Sequence, residues 1–153
     1  MLSAGDMEIL PNIGLGPIRF GMNPSQVQAV LGPDRAYEPW MGGNLNDSLL
    51  YPGLIIGFDN CDGRGPLRDS KLVEFRINKE ADVTFLGKPV FGMPEHGLLQ
   101  SLARHKIRFE RNQSSYLLPD LHMELDFDDN GRVTLIEFSG GVGFLRAMAQ
   151  APE

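Results

Sequence analysis

The chain has 153 residues, 42% of them hydrophobic, and a formal net charge of −6. This length and composition are typical of a single globular domain with its own core, and no segment approaches the roughly 18 consecutive apolar residues of a membrane span. The acidic balance argues against nucleic acid as a partner, because phosphate binding needs a basic surface, and the single cysteine excludes an internal disulfide.

The first ten residues contain neither a basic segment nor a long apolar run, so the sequence predicts no signal peptide and a cytoplasmic location. The first predicted element is a short helix in FGMNPSQVQAVLG, residues 20–32. Asn23 is a good N-cap, Pro24 suits the first turn, and Gln26 occupies the capping-box position. One apolar face of this helix is predicted to consist of Val27, Val30 and Leu31.

An irregular stretch, RAYEPWMGGNLNDSLLYPG, follows the helix and contains Tyr37, Trp40, Met41 and Tyr51. Aromatic and methionine side chains on loops are typical of protein-binding hot spots, so these four residues are predicted to contact a partner. Tyr116 occupies a similar place in the second half and is predicted to line the same surface. The alternative for Trp40 is a lid that folds back on a small core.

Strands are predicted next. LIIGF and SKLVEFRI flank a turn-rich stretch, which favours a hairpin. A second helix is predicted from Pro94, with Leu98, Leu99 and Leu102 as its apolar face. Beyond it, LHMELDFD alternates apolar and polar residues, which is typical of a strand with one buried face.

DFDDNGRVTLIE matches the calcium-binding loop of an EF-hand, with Asp126, Asp128 and Asn130 at positions one, three and five, Gly131 at six and Glu137 at twelve. An EF-hand needs a helix on each side of its loop, whereas these flanks have strand periodicity or reach a Gly-Gly pair. We therefore predict a β-hairpin with an Asn-Gly turn, and keep calcium binding as an alternative.

Three acids, Glu124, Asp126 and Asp128, are predicted to share the polar face of the strand and to contribute to partner binding. Paired strand acids could also serve catalysis, which is a further alternative. The three histidines and Cys61 show no ligand or nucleophile arrangement. We predict no catalytic set, no metal site and no cofactor.

Two halves of the chain resemble each other. Phe-Gly-Met occurs at residues 20–22 and 91–93, a Phe-Asp pair follows in each half, and an apolar-Glu-Phe ending closes each half. We predict one domain with internal repeats at about 14–78 and 83–140. The predicted fold is α+β: two helix-plus-hairpin repeats forming one antiparallel sheet, with short helices packed on one face. VGFLRAMAQA, near the C-terminus, is predicted to add a short helix.

GMNPSQVQAVLGPD resembles the Gly-Met-x-x-x-x-Val-x-x-x-Leu-Gly-x-Pro motif of the SmpA/OmlA (BamE) family. Pro33 comes one position early for that motif, and the second half keeps Gly92, Met93 and Leu98. The repeat layout is similar to that of β-lactamase inhibitor protein (BLIP)-like proteins. The resemblance implies a tandem α+β domain that presents a sheet face or concave edge to another protein.

From this resemblance, the acidic charge and the lack of a catalytic set, the expected function is protein binding. The specific form we expect is a small acidic bacterial inhibitor or immunity-type protein acting on a basic enzyme or toxin. The alternatives are a small-molecule or lipid-binding module, which would need an apolar cavity, and a calcium-binding protein using residues 126–137.

Overall fold

The computed structural model describes residues 7–34 and 46–140, which form an α+β fold with a large antiparallel sheet and two short helices. The helices are α1 (Pro24–Leu31) and α2 (Glu95–Arg104). The strands are β1 (Ile9–Leu10), β2 (Gly14–Leu15), β3 (Ile18–Arg19), β4 (Ser48–Tyr51), β5 (Leu54–Phe58), β6 (Cys61–Asp62), β7 (Gly65–Pro66), β8 (Leu72–Asn78), β9 (Thr84–Phe85), β10 (Lys88–Pro89), β11 (Glu110–Asn112), β12 (Ser115–Leu118), β13 (Met123–Phe127) and β14 (Val133–Ser139).

Seven of these strands form the main sheet, in the order β11-β12-β13-β14-β8-β5-β4, and each pairs antiparallel with its neighbours. The middle strand of the sheet is β14, and its pairing with β8 joins the second half of the chain to the first. The short strands form a three-stranded meander, β1-β2-β3, and two small hairpins, β9-β10 and β6-β7. The last of these lies in the connection between β5 and β8, where the sequence is rich in turn residues.

The core lies on one face of the main sheet. Alternate residues of the strands point into it, as the period of two requires, and both helices contribute buried side chains to the same cluster. An aromatic group holds its centre: the rings of Phe75 and Phe138 stack 4.9 Å apart, and Phe20 meets Phe75 edge-on at 5.3 Å. Phe20 therefore anchors the segment before α1 on the two central strands.

The start of α1 confirms the predicted capping box. The Asn23 side chain accepts a hydrogen bond from the Gln26 amide at 2.9 Å, and the Gln26 side chain accepts one from the Asn23 amide at 2.9 Å. Gly32 ends the helix with φ of 84°, a conformation that glycine adopts without strain. Pro94 is the N-cap of α2, whose first residue is Glu95.

The two Phe-Gly-Met segments make the same backbone contacts with the main sheet. The Gly21 amide donates to the Leu72 carbonyl at 2.9 Å, and the Leu72 amide donates to the Met22 carbonyl at 2.8 Å. In the second half, the Gly92 amide donates to Val133 and the Val133 amide donates to Met93, both at 3.1 Å. Each segment thus joins a helix N-terminus to the first residue of a central strand, Leu72 in β8 and Val133 in β14.

The hairpin predicted for the EF-hand-like stretch is confirmed, because β13 and β14 pair antiparallel on its two sides. The stretch lacks the flanking helices of an EF-hand. A register shift between Asp126 and Phe127 interrupts the regular pairing before the last pair, Phe127 with Val133, and Gly131 takes φ of 73° in the turn. The segment VGFLRAMAQA lies outside the described residues.

Candidate protein-binding face

The face of the main sheet opposite the core, here called the open face, carries one row of side chains that crosses all seven strands. The strand register places these residues side by side, in the order Leu50, Ile55, Arg76, Glu137, Glu124, Leu117 and Glu110. Neighbouring strands lie about 4.8 Å apart, so successive side chains of the row are separated by about that distance. Its middle is charged, the exposed Leu117 flanks the charges on one side, and Ile55 flanks them on the other side but is buried.

Four carboxylates surround the middle of the row: Glu74, Glu124, Asp126 and Glu137, here called the carboxylate cluster. All four are partly buried. The Arg76 guanidinium forks onto Glu74, with Nε 3.2 Å from Oε1 and Nη2 3.3 Å from Oε2. Among the described residues no ion pair within 4 Å holds Glu124 or Glu137. Two carboxylates thus face each other directly across the β13–β14 pair.

The electrostatics of the cluster reflect this arrangement. Burial raises the pKa of Glu137, and the charges of Glu74, Glu124 and Asp126 raise it further, while Arg76 acts in the opposite direction. Burial and the charge of Glu124 likewise raise the pKa of Asp126. These shifts mean that ionisation of Glu137 and Asp126 lowers the stability of the folded protein. Like charges on opposed strand residues are expected to have this effect.

The pKa of Arg76 is raised because carboxylates surround its guanidinium. Burial alone would lower it, but the hydrogen bond and charge of Glu74, together with the charges of Glu137 and Asp47, outweigh the burial. One arginine therefore serves several carboxylates. Its side chain is 31% exposed and that of Glu74 is 33% exposed, so both still face solvent.

A shallow hollow of about 240 Å³ lies over this part of the open face. Glu74, Glu124 and Glu137 line it from three adjacent strands, and Ser139, His122 and Leu117 complete its rim. Leu117 is 39% exposed, which is high for a large apolar side chain in a strand. The hollow combines negative charge with an apolar edge.

Two of the three predicted strand acids belong to this site. Glu124 lies in the row and Asp126 lies beside it, opposite Leu135 and Ser115. The predicted position of Asp128 on the strand face is wrong, because β13 ends at Phe127 and the Asp128 carboxylate caps the turn; its role in partner binding stays a prediction. Its Oδ1 accepts hydrogen bonds from the amides of Asn130 at 2.9 Å and Arg132 at 3.1 Å.

The prediction that Tyr51 and Tyr116 line a binding surface is also wrong, because both side chains lie on the core face. Tyr51 is 8% exposed, its hydroxyl donates to the Gly32 carbonyl at 2.8 Å, and burial followed by the charge of Asp34 raises its pKa to about 12. Tyr116 is 3% exposed and its hydroxyl hydrogen-bonds the Glu95 carboxylate. Each hydroxyl has a hydrogen-bond partner, which allows a tyrosine side chain to be buried at these two positions.

The remaining predicted contact residues, Tyr37, Trp40 and Met41, lie outside the described residues. His122 precedes β13 instead of lying within a strand, and it adopts a left-handed conformation with φ of 52°. Within residues 7–34 and 46–140, no group of three or more histidine, cysteine or acidic side chains is arranged to hold a metal ion. No helix in the same ranges is long and apolar enough to cross a membrane.

Sequence reasoning missed three members of the site as binding residues: Glu74, Arg76 and Glu137. The signal was present, because the polar residues of KLVEFRIN and VTLIEFS alternate with apolar ones as they do in β13. What the alternation could not supply was the pairing of β14 with β8, which brings Glu137 opposite Arg76. Comparison with family models, curated proteins and solved structures finds no match to this chain.

Proposed function

We propose that this chain is a protein-binding module whose open sheet face docks on a basic surface of another protein. The observation that carries the proposal is the directly opposed Glu124–Glu137 pair, which is partly exposed and has no ion pair within 4 Å among the described residues. Repulsion between two opposed carboxylates lowers the stability of the unbound protein, and a cation supplied by a partner would reduce that repulsion. The net charge of −6 adds long-range attraction toward a basic partner.

The proposed form of this module is a small acidic inhibitor or immunity-type protein built from two copies of a helix-plus-hairpin unit. Matching contacts of the two Phe-Gly-Met segments support the duplication. So do the strands β8 and β14, which have seven residues each and the same order of buried and partly buried positions. The resemblance to BLIP-like proteins rests on this layout and on the short motif in residues 21–34.

The test is affinity capture from a lysate of the source cells at low salt, with elution by high salt. Three baits are compared: the wild-type chain, the Glu124→Lys/Glu137→Lys variant, and a control in which Glu80 and Asp69 become lysine. Both variants change the net charge equally, but Glu80 and Asp69 are exposed residues of loops away from the row. The proposal requires a protein that the wild type and the control retain and the open-face variant loses. Equal retention by all three baits contradicts it.

A small-molecule or lipid-binding module is the second candidate, and one observation favours it. A groove of about 820 Å³ lies between the end of α1 and residues 80–83, which is within the usual size range of ligand sites, roughly 300–1,000 Å³. Its lining includes Val30, which is 38% exposed, and the neighbouring Leu31 and Ala81. A thermal shift of the wild type with fatty acids, abolished by Val30→Asp but unaffected by Glu124→Gln, would favour this candidate over the first.

A further inference from the structure

We propose that the centre of the docking surface is an arginine-binding position between Glu124 and Glu137, with Arg76 beside it as a contact for an acidic side chain of the same partner. This inference rests on the proposed function and specifies the chemistry of the partner. It follows from the order of charges along the row and not from the net charge of the face.

The charges along the row have a fixed order. From β8 to β12 the neighbouring side chains are Arg76, Glu137, Glu124 and Leu117. A complementary surface would present an acidic, then a basic, then an apolar group across about 15 Å, three strand spacings. Charge order of this kind fixes the register of a complex and rejects partners with the opposite order.

The position also favours one type of cation. Two carboxylates on neighbouring strands offer parallel acceptors for the fork of a guanidinium, whereas an ammonium group is a point charge that cannot bridge them in a fixed geometry. The exposed Leu117 adjoins this position and would cover the aliphatic stem of the incoming side chain. The protein already contains one example of the contact, because Arg76 forks onto Glu74 on the same face.

The position is available to a partner. Arg76 is the cation of the row, and its ion pair within 4 Å goes to Glu74. The hollow of about 240 Å³ between Glu74, Glu124 and Glu137 leaves room above the sheet for a side-chain head group. An arginine of the partner would therefore complete an alternating set of charges that residues 7–34 and 46–140 leave incomplete.

The test is an NMR titration of the ¹⁵N-labelled protein with Nα-acetyl-argininamide and, separately, with Nα-acetyl-lysinamide. We expect the arginine probe to shift the amides of β13 and β14 around Glu124 and Glu137 most strongly, and to bind more tightly than the lysine probe. Glu124→Gln should remove most of these shifts. Equal affinity for the two probes would overturn the preference for arginine, and shifts spread over all surface acids would overturn the site.

The matched control exchanges charges without changing their sum. In Arg76→Glu/Glu137→Arg, the new arginine lies between Glu124 and the new carboxylate at position 76, because position 137 pairs with both, and Glu74 loses its ion pair. The largest shifts should move to β8 around Glu74, provided that the amide spectrum shows the variant folded; if it does not fold, Glu124→Gln decides the question alone. Shifts that stay on β13 would overturn the inference. Loss of capture by Glu124→Lys/Glu137→Lys with no arginine preference would leave the proposed function standing and remove only this refinement.

Discussion

Replacing Glu124 by glutamine should stabilise the free protein at neutral pH. The substitution keeps the size of a partly buried side chain and removes the charge that faces Glu137 across the β13–β14 pair. It also removes the charge that raises the pKa of Asp126. The usual expectation for a surface substitution is a change within about 0.5 kcal/mol, so a clear gain would be diagnostic.

The magnitude follows from the geometry. Carboxylates on directly opposed strand residues lie about 6 Å apart, which gives a repulsion of ~0.7 kcal/mol at the dielectric constant of water and ~2.8 kcal/mol at an effective value near 20. For a partly exposed pair we expect a gain of about 1 kcal/mol, or about 2–4 °C in Tm for a chain of this size.

The assay is thermal and chemical unfolding of wild type, Glu124→Gln and the control Glu80→Gln at pH 7 and at pH 3. The difference between wild type and Glu124→Gln should disappear at pH 3, where the carboxylates are protonated. The same variant should weaken capture of the basic partner, so that a gain in stability accompanies a loss of binding. A loss of stability at pH 7, or an equal gain from Glu80→Gln, would refute the argument from opposed charges.

Four further results are expected. The raised pKa of Glu137 means that the folded state binds the proton of this carboxyl more tightly than the unfolded state does. Stability is therefore lost as pH rises from the ordinary glutamate range through the folded pKa. Urea unfolding across pH 4–7 should show a smaller loss of stability for Glu137→Gln than for wild type. Phe75→Ala should cost about 3–5 kcal/mol in guanidinium unfolding because Phe75 is fully buried, whereas Phe109→Ala, at 39% exposed, should cost clearly less. Asn23→Ala should cost about 1 kcal/mol through loss of the capping box, measured in the same way. Millimolar calcium should leave the Tm unchanged, because residues 126–137 form a strand hairpin; a saturable increase would restore the calcium alternative.

Local sequence signals predicted the elements whose causes are local. Asn23 and Gln26 are three residues apart and cap α1 through each other, so the sequence alone contains the whole interaction. The alternation of Met123 and Leu125 with Glu124 and Asp126 likewise follows from one strand having one buried face. These are effects within a few residues of chain.

The parts that could not be predicted depend on long-range pairing. The Glu-Phe pairs at residues 74–75 and 137–138 look equivalent in sequence. Leu72 and Val133 are the equivalent positions in the structure, because each bonds to a Phe-Gly-Met segment, and three residues further on the counterpart of Phe75 is Ile136. A shift of two residues keeps the same side chains buried, so hydrophobic pattern alone cannot detect it. The same ambiguity of faces explains why Tyr116 was expected at the surface: which side of a strand meets the core is decided by its neighbours in the sheet.

The central claim is that the open face itself makes the contact with a basic partner. The most direct measurement is the association rate with the captured protein as a function of salt, for wild type, Glu124→Lys/Glu137→Lys and the Glu80→Lys/Asp69→Lys control. We expect a wild-type rate that falls steeply with ionic strength, a much lower rate with a weaker salt dependence for the open-face variant, and a control close to wild type. A rate that is insensitive to salt, or that both variants lower equally, would contradict it.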